Sequence, residues 1–222
     1  MFGWNITHKS IDYTPITIIK NAINKKKCKE ISEQILEFKK LEEANEHAEF
    51  NRDSNQGCWR GFPNLAPPNS PGLSEENKEL IFNTIMQSSV LYRDNLPIAD
   101  GLKSPAWNSG MYDVTRLQQH AWFNVNEPNA SNQIHNHSGA FFSGVLYFRA
   151  TGTGKIRFYP NNHLLGYSHP LWPYKGVYLH YPEDGDLILF PAHLLHEVEP
   201  NPSNELRINT AFNISVPIAN PA

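Results

Sequence analysis

Apolar positions recur along this chain with two different periods, and the change of period divides it. Between about Asn24 and Glu46, Cys28, Ile31, Ile35, Phe38 and Leu41 return every three to four residues, which predicts an amphipathic helix. A second helix is predicted after Ser74, a residue able to cap it. Glu75 and Glu76 occupy its first turn, and Leu80, Ile81, Ile85 and Leu91 form a stripe to about Tyr92. Ahead of both, Ile16–Ile19 is short and β-branched and predicts a strand. From about Tyr112 onward the period shortens toward two. Trp122–Asn126, Ser143–Phe148, Lys155–Tyr159, Gly176–Tyr181, Leu187–Pro191, His196–Val198 and Arg207–Val216 read as short strands between turn residues, Gly152-Thr153-Gly154 among them. Two helices ahead of seven or eight strands predict a mainly β protein with an α buttress, a helix-supported jelly roll.

Residues 47–73 break this order. They carry Asn, Gly, Pro and Ser with no period and predict a long loop holding Trp59, Arg60 and Phe62. Such a loop either walls a pocket or is pinned to the core by its aromatic residues. Pro97 and Pro105 interrupt the chain again. With no internal repeat and no shift of composition, 1–222 reads as one domain, with a helical N-terminal buttress and loop over 1–110 and the β core over 111–217.

Composition narrows the partners. A chain of 222 residues that is 40% hydrophobic and 12% aromatic can bury a sizeable core, which excludes a disordered polypeptide. Nineteen basic against 22 acidic residues give a net charge of −3, so no basic field predicts a nucleic acid or an anionic membrane as partner. Small soluble molecules are the expectation. Lys25, Lys26, Lys27 and Lys29, close to a helix start, read as a solvated face rather than a phosphate site. Neither a signal-peptide pattern nor an apolar run of ~20 residues is present, so the location expected is cytoplasmic, or host cytoplasmic for a phage-encoded protein. Cys28 and Cys58 are expected as free thiols, one on a helix and one in the loop.

The candidate chemistry lies between Trp122 and Val216. His135 and His137 are separated by one residue, and on a strand such a pair points to one face. Two neutral imidazoles on one face can hold a metal. His196 follows an interior strand and opens the next, from which it can reach back toward the pair. His193 is its rival and reads as a surface residue, because Leu194 and Leu195 separate it from that strand. His8, His47, His120, His163, His169 and His180 have no partner spacing and read as surface or core histidines. Arg207 begins a largely apolar strand, where a guanidinium either meets solvent or is buried to hold a carboxylate through two parallel hydrogen bonds. A cosubstrate with two carboxyl groups could chelate the metal at one end and reach Arg207 with the other.

Several motifs follow in order. They are His135-Asn136-His137, Ser143-Gly144-Val145-Leu146-Tyr147, the Gly-rich turn, Phe190-Pro191 through His196-Glu197-Val198-Glu199-Pro200, and Arg207-Ile208 through Phe212-Asn213. Together they resemble the iron(II)/2-oxoglutarate-dependent oxygenases, and in particular the family found in marine phages and bacteria. The resemblance covers roughly Trp122 to Val216 and implies a double-stranded β-helix, the cupin-like form of jelly roll. It implies iron(II), 2-oxoglutarate and dioxygen, with ascorbate as a reductant, and a dioxygenase that hydroxylates a C–H bond of a protein or peptide residue such as proline, or of a small metabolite. It implies His135 and His196 as iron ligands, Arg207 as the clamp for the far carboxylate of 2-oxoglutarate, and Tyr147 as its partner in holding that carboxylate. One position departs from the wider pattern. Where most members carry Asp or Glu, this chain has His137, and no acidic residue lies between His135 and Glu183 to replace it. His137 is then a third ligand, or it stands beside the metal and leaves a coordination position open. Three neutral imidazoles also suit zinc, copper or nickel. The competing reading is therefore a non-oxidative three-histidine cupin-like metal-binding protein or isomerase, in which Arg207 holds a substrate acid.

Overall fold

The computed structural model describes residues 5–11, 14–44, 55–62, 72–96, 116–159 and 177–217. Strands β1 (Asn5–Ile11) and β2 (Thr14–Lys20) lead into helix α1 (Lys25–Glu43). Strand β3 (Asn55–Gly61) and helix α2 (Glu75–Asp94) follow. The remaining strands are β4 (Gln118–His135), β5 (Phe142–Arg149), β6 (Ile156–Tyr159), β7 (Tyr178–His180), β8 (Leu187–Pro191), β9 (Leu195–Val198) and β10 (Arg207–Ser215). All pairings are antiparallel. The order is β1-β2-β8-β5-β10-β4-β9-β6-β7, with β3 on β4. Strand β4 is the corner. Its first half pairs with β10 and its second half with β9, so one strand serves two layers of the jelly roll. Asn129, at φ +63°, lies between the two halves.

Each helix forms where the periodicity places it. Asn24 caps α1 by accepting the Lys27 N–H at 3.0 Å, and Ser74 caps α2 by accepting the Asn77 N–H at 3.3 Å. No acidic residue in the first turn of α1 offsets its lysines, but Lys27 reaches Glu30 at 3.2 Å and Glu76 at 2.7 Å. The buried face of α1 is Cys28, Ile31, Ile35 and Phe38, and that of α2 includes Ile81, Ile85 and Tyr92. Each such apolar side chain contributes on the order of 2 kcal/mol by leaving water.

The helices cover one face of the main layer. Phe123 and Val125 of β4, Ile208, Phe212 and Ile214 of β10, and Leu187 and Leu189 of β8 belong to that core. Alternation with period two sends the intervening residues to the opposite face. There Tyr147, Ile188 and Phe190 join Ile156, Phe158 and Leu194 in a second cluster. Gly144 is where β5 admits no side chain, because a Cβ there would stand 2.3 Å from the Phe212 ring and 2.6 Å from the Ile188 carbonyl. Between the two layers lies a cavity of about 460 Å³.

Three details depart from expectation. Among the described residues three strands, not one, precede β4, and β4 runs to eighteen residues because it bends through the corner instead of ending at Asn126. Strand β3 forms inside the expected loop, where β4 offers it an edge from Gly61↔Phe123 to Asn55↔Asn132, with a shift of register between Gln56 and Cys58. Cys58 is therefore on a strand and not in a loop. The expected loop segments 47–54 and 63–71, Pro97, Pro105 and Tyr112 lie outside the described residues.

Candidate functional site

His135, His137 and His196 converge at the end of β4. Each offers one ring nitrogen, and these atoms all lie within 4.8 Å of one another. His135 sits opposite His196 in the β4–β9 register, with ring centroids 4.3 Å apart. His137 is not on the strand. It lies past the end of β4, where its N–H donates to the Ala192 carbonyl at 2.8 Å, and its Nε2 stands 3.3 Å from His196 Nε2. Two nitrogens each about 2.1 Å from one metal stand roughly 3.0–3.4 Å apart, so this spacing suits a shared ion. Backbone carbonyls fix two of the rings. Nδ1 of His135 donates to the Gln133 carbonyl at 2.6 Å and Nδ1 of His196 to the Leu194 carbonyl at 2.8 Å. A carbonyl only accepts, so each of these rings carries its proton on Nδ1 and presents the Nε2 lone pair. Burial lowers the pKa of all three, His137 to about 4 and His196 well below 6.5, with smaller effects from the neighbouring histidines at His137 and His196 and from Arg60 at His135 and His137. Neutral imidazoles are the form a metal takes. His193 is exposed.

Arg207 opens β10 and is 1% exposed. Its Nη1 donates to the Thr153 carbonyl at 2.8 Å, and its Nη2 is buried with no hydrogen-bond partner. Among the described residues no carboxylate pairs with it, and burial draws its pKa below the usual arginine value. A buried guanidinium with one arm anchored and the other unsatisfied fits an acidic ligand. Tyr147, 2% exposed on β5, lines the same cavity, and burial pushes its phenol up so that it remains a neutral hydroxyl. The turn at Thr153 is shaped for this contact. Gly154, at φ +105°, leaves only 3.2 Å between its would-be Cβ and Arg207 Nη1. The glycines flanking Thr153 were the only sign in the sequence that a carbonyl there serves the arginine.

The cavity floor holds residues to which the motif pattern assigned no role. Asn124, Asn209 and Asn213 line it with Trp122, and Arg60, Phe62 and His120 stand along one side. The register sets Arg60, Asn124, Asn209 and Tyr147 in one row across four strands. Asn124 donates to Asn209 at 3.0 Å. His120 is exposed, as a surface histidine is. It lies between Phe62 and Trp122, with centroids 6.0 and 5.8 Å away. Trp59 points the other way into the core, edge-on to Phe38 at 5.7 Å, so it anchors β3 to α1 and does not cover the cavity. The signal was alternation. Once 55–61 is read as a strand, Trp59 and Arg60 must face opposite sides. The Cys58 thiol is pushed up to about 12 by burial, and Cys28 likewise, so neither is a nucleophile at neutral pH.

Residues 120–213, which contain the three histidines, Arg207, Tyr147 and the cavity asparagines, match the family model described as "Putative 2OG-Fe(II) oxygenase". Solved structures agree in fold. A prolyl hydroxylase from Trichoplax adhaerens, in complex with a hypoxia inducible factor peptide fragment, is similar at TM-score 0.59 and 15% identity over 90% of this chain and 83% of that one. A prolyl-4-hydroxylase from Pseudomonas putida is similar at 0.54 and 14%, over 96% and 92%. A non-heme alpha-ketoglutarate-dependent carbocyclase of nogalamycin biosynthesis, SnoK, is similar at 0.58 and 12%, over 91% and 81%. No curated protein matches by sequence. The architecture is thus a double-stranded β-helix. No helix among the described residues is long and apolar enough to cross a membrane.

One buried histidine lies away from this site and sets a pH response. His180 on β7 is 6% exposed, and its Nε2 has no hydrogen-bond partner. Asp186 is 3.8 Å away, but its carboxylate already accepts from Lys20 at 2.7 Å and from the Glu183 N–H. Burial therefore prevails, with Lys20 adding to it, and the pKa falls from 6.5 to about 4. The unfolded chain takes up this proton near pH 6.5 and the folded chain only near 4. The unfolded state binds more protons in that window, so stability is lost as pH falls through it and the loss is complete below about 4. At pH 5 the loss is about 2 kcal/mol. Urea melts of metal-free protein at pH 7 and pH 5 are expected to differ by that much less in His180→Phe than in the parent. Equal differences in the two proteins would refute the assignment.

Proposed function

We propose that this protein is an iron(II)- and 2-oxoglutarate-dependent dioxygenase that hydroxylates a C–H bond, with 1–222 acting as one domain in which 1–110 buttresses the core at 111–217. The observation that carries the reading is the pairing, in one cavity, of three neutral imidazoles with a buried arginine whose Nη2 lacks a partner. Iron(II) and 2-oxoglutarate supply the oxidising chemistry, in which dioxygen gives one atom to succinate as carbon dioxide leaves and the other to the substrate.

The chain's own residues have separable tasks in this reading. His135 and His196 hold the ion through Nε2, kept in that tautomer by the Gln133 and Leu194 carbonyls. His137 provides the third nitrogen in place of a carboxylate. Arg207 takes the far carboxylate of the cosubstrate with its unsatisfied arm while Thr153 holds the other arm. The Tyr147 hydroxyl donates to the same group. Phe158 and Phe190, with ring centroids 5.9 and 4.7 Å from His196, keep water from one side of the metal. The substrate is a peptidyl residue such as proline or a small metabolite, and the prolyl hydroxylase neighbours support the former only at the level of fold.

The test is product formation. Metal-free protein given iron(II), ascorbate and 2-oxoglutarate in air is expected to release succinate slowly without added substrate. If neither succinate nor anaerobic 2-oxoglutarate binding is detected, the reading gives way to a non-oxidative three-histidine metal protein.

A further inference from the structure

We propose that Asn213, oriented by Ser143, positions the primary substrate, and that this substrate carries an amide carbonyl that accepts a hydrogen bond from Asn213 Nδ2. The inference rests on the oxygenase reading and narrows its substrate to amides.

The place of Asn213 comes first. Across β10 and β4, Arg207 stands opposite Asn126, Ala211 opposite Trp122 and Asn213 opposite His120. On β5, Val145 lies opposite Ala211 and Ser143 opposite Asn213. The Trp122 ring is 5.8 Å from the His137 ring, centroid to centroid, so the metal-binding histidines stand near the level of Ala211. Along β10, Arg207 lies roughly 13 Å to one side of that level and Asn213 roughly 7 Å to the other. A cosubstrate that runs from the metal to Arg207 therefore leaves the Asn213 end of the floor to the primary substrate.

One hydrogen bond sets the chemistry of that end. Ser143, 1% exposed, donates its Oγ–H to Asn213 Oδ1 at 2.8 Å. With the carbonyl side of the amide held there, Nδ2 and its two hydrogens turn to the cavity that Asn213 lines, and among the described residues they meet no acceptor. Between Asn213 and the histidines the floor is apolar, because Trp122, Ala211 and Val145 stand side by side on β4, β10 and β5. A donor beyond an apolar strip fits a ligand whose oxidised carbon rests on the strip, beside the histidines, and whose acceptor oxygen reaches Asn213.

Charge and access favour an amide carbonyl over other polar groups. Asn213 Nδ2 is uncharged, and a carboxylate would give up its hydration for neutral N–H groups, whereas an amide carbonyl replaces its bond to water with an equivalent one. None of the described residues lining the cavity is acidic, so an ammonium group finds no carboxylate there. His120 is exposed, and Phe62, whose ring centroid is 6.0 Å from it, is 49% exposed, so the Asn213 end opens to solvent. Both a residue of a peptide and a small amide can enter by this rim.

The test compares N-acetylpyrrolidine with N-thioacetylpyrrolidine, which share shape and differ in the acceptor, since sulfur accepts weakly. The full-length protein, loaded with iron(II) and 2-oxoglutarate without oxygen, is titrated with each by calorimetry. The oxygen compound is expected to bind about fivefold more tightly. Asn213→Leu keeps the volume but removes the donor and is expected to erase that preference, while 2-oxoglutarate affinity stays within about twofold of the parent. Ser143→Ala leaves the N–H groups but lets the amide turn, and part of the preference is expected to go. The same amide and thioamide placed before the proline of a blocked alanyl-prolyl-alanine tripeptide distinguish the sources. Binding about tenfold tighter than that of the small amide assigns a peptide, and equal binding a small molecule. Equal binding of oxygen and sulfur probes by the parent, an unchanged preference in Asn213→Leu, or no binding of either oxygen probe overturns the proposal. A full preference in Ser143→Ala removes Ser143 from it. If 2-oxoglutarate itself fails to bind the metal-loaded parent, the oxygenase reading falls and takes this proposal with it. If 2-oxoglutarate binds and the probes fail to discriminate, this proposal alone falls.

Discussion

In His196→Ala, iron(II) affinity is expected to fall on the order of a hundredfold or more, and succinate formation to vanish. Of the three histidines, His196 is the most buried, at 3% exposure, and its ring lies within 4.3 Å of His135 and 5.1 Å of His137, centroid to centroid. Its removal takes away a nitrogen whose tautomer is already set by Leu194, so no reorganisation compensates. Alanine also leaves a void beside Phe190 and Phe158, and some loss of stability follows. His196→Gln separates the two effects by keeping most of the volume. Anaerobic iron(II) titration of both variants is the measurement. Near-parental affinity in His196→Gln, with the fold intact, would remove His196 from the ligand set.

The second large effect is at Arg207. Arg207→Leu is expected to weaken 2-oxoglutarate binding by about 3 kcal/mol, roughly a hundredfold, with metal affinity little changed. Its stability should move in the opposite sense. Without cosubstrate the parent carries a buried guanidinium whose Nη2 has no partner, and a well-packed apolar replacement removes that desolvation cost. The lost bond to the Thr153 carbonyl offsets part of the gain. The metal-loaded variant without 2-oxoglutarate should therefore melt at or above the parent's temperature, and saturating 2-oxoglutarate should raise the parent alone. If Arg207→Leu both melts well below the parent and still binds 2-oxoglutarate, the arginine is a structural residue.

The sequence spoke most clearly where one periodicity held over a whole element. Helices α1 and α2 keep a 3.6-residue stripe and start after the capping residues Asn24 and Ser74, and β5, β8 and β10 are apolar runs bounded by turn residues, so all five are close to where the pattern put them. It failed where pairing, not pattern, decides. Strand β3 is Asn55-Gln56-Gly57-Cys58-Trp59-Arg60-Gly61, with two glycines and little alternation, and it is a strand because β4 offers it an edge. Strand β4 contains Glu127-Pro128-Asn129, which reads as a turn, yet the chain bends there and continues pairing. The site followed the same division. Histidines and an arginine beside apolar strands stand out as residue types. Asn124, Asn209, Arg60 and His120 do not, because they gain meaning only when β3, β4 and β10 are laid side by side.

The two-faced layer around β10 has an evolutionary consequence. Along Arg207–Ser215 the odd positions Arg207, Asn209, Ala211 and Asn213 line the cavity, while Ile208, Phe212 and Ile214 seal the helices. Selection for a new substrate acts on one set and selection for a folded chain acts on the other, and the two seldom compete for the same codon. Changes at Asn209, Ala211 and Asn213 therefore reshape the cavity while leaving the helix-facing packing of Ile208, Phe212 and Ile214 untouched.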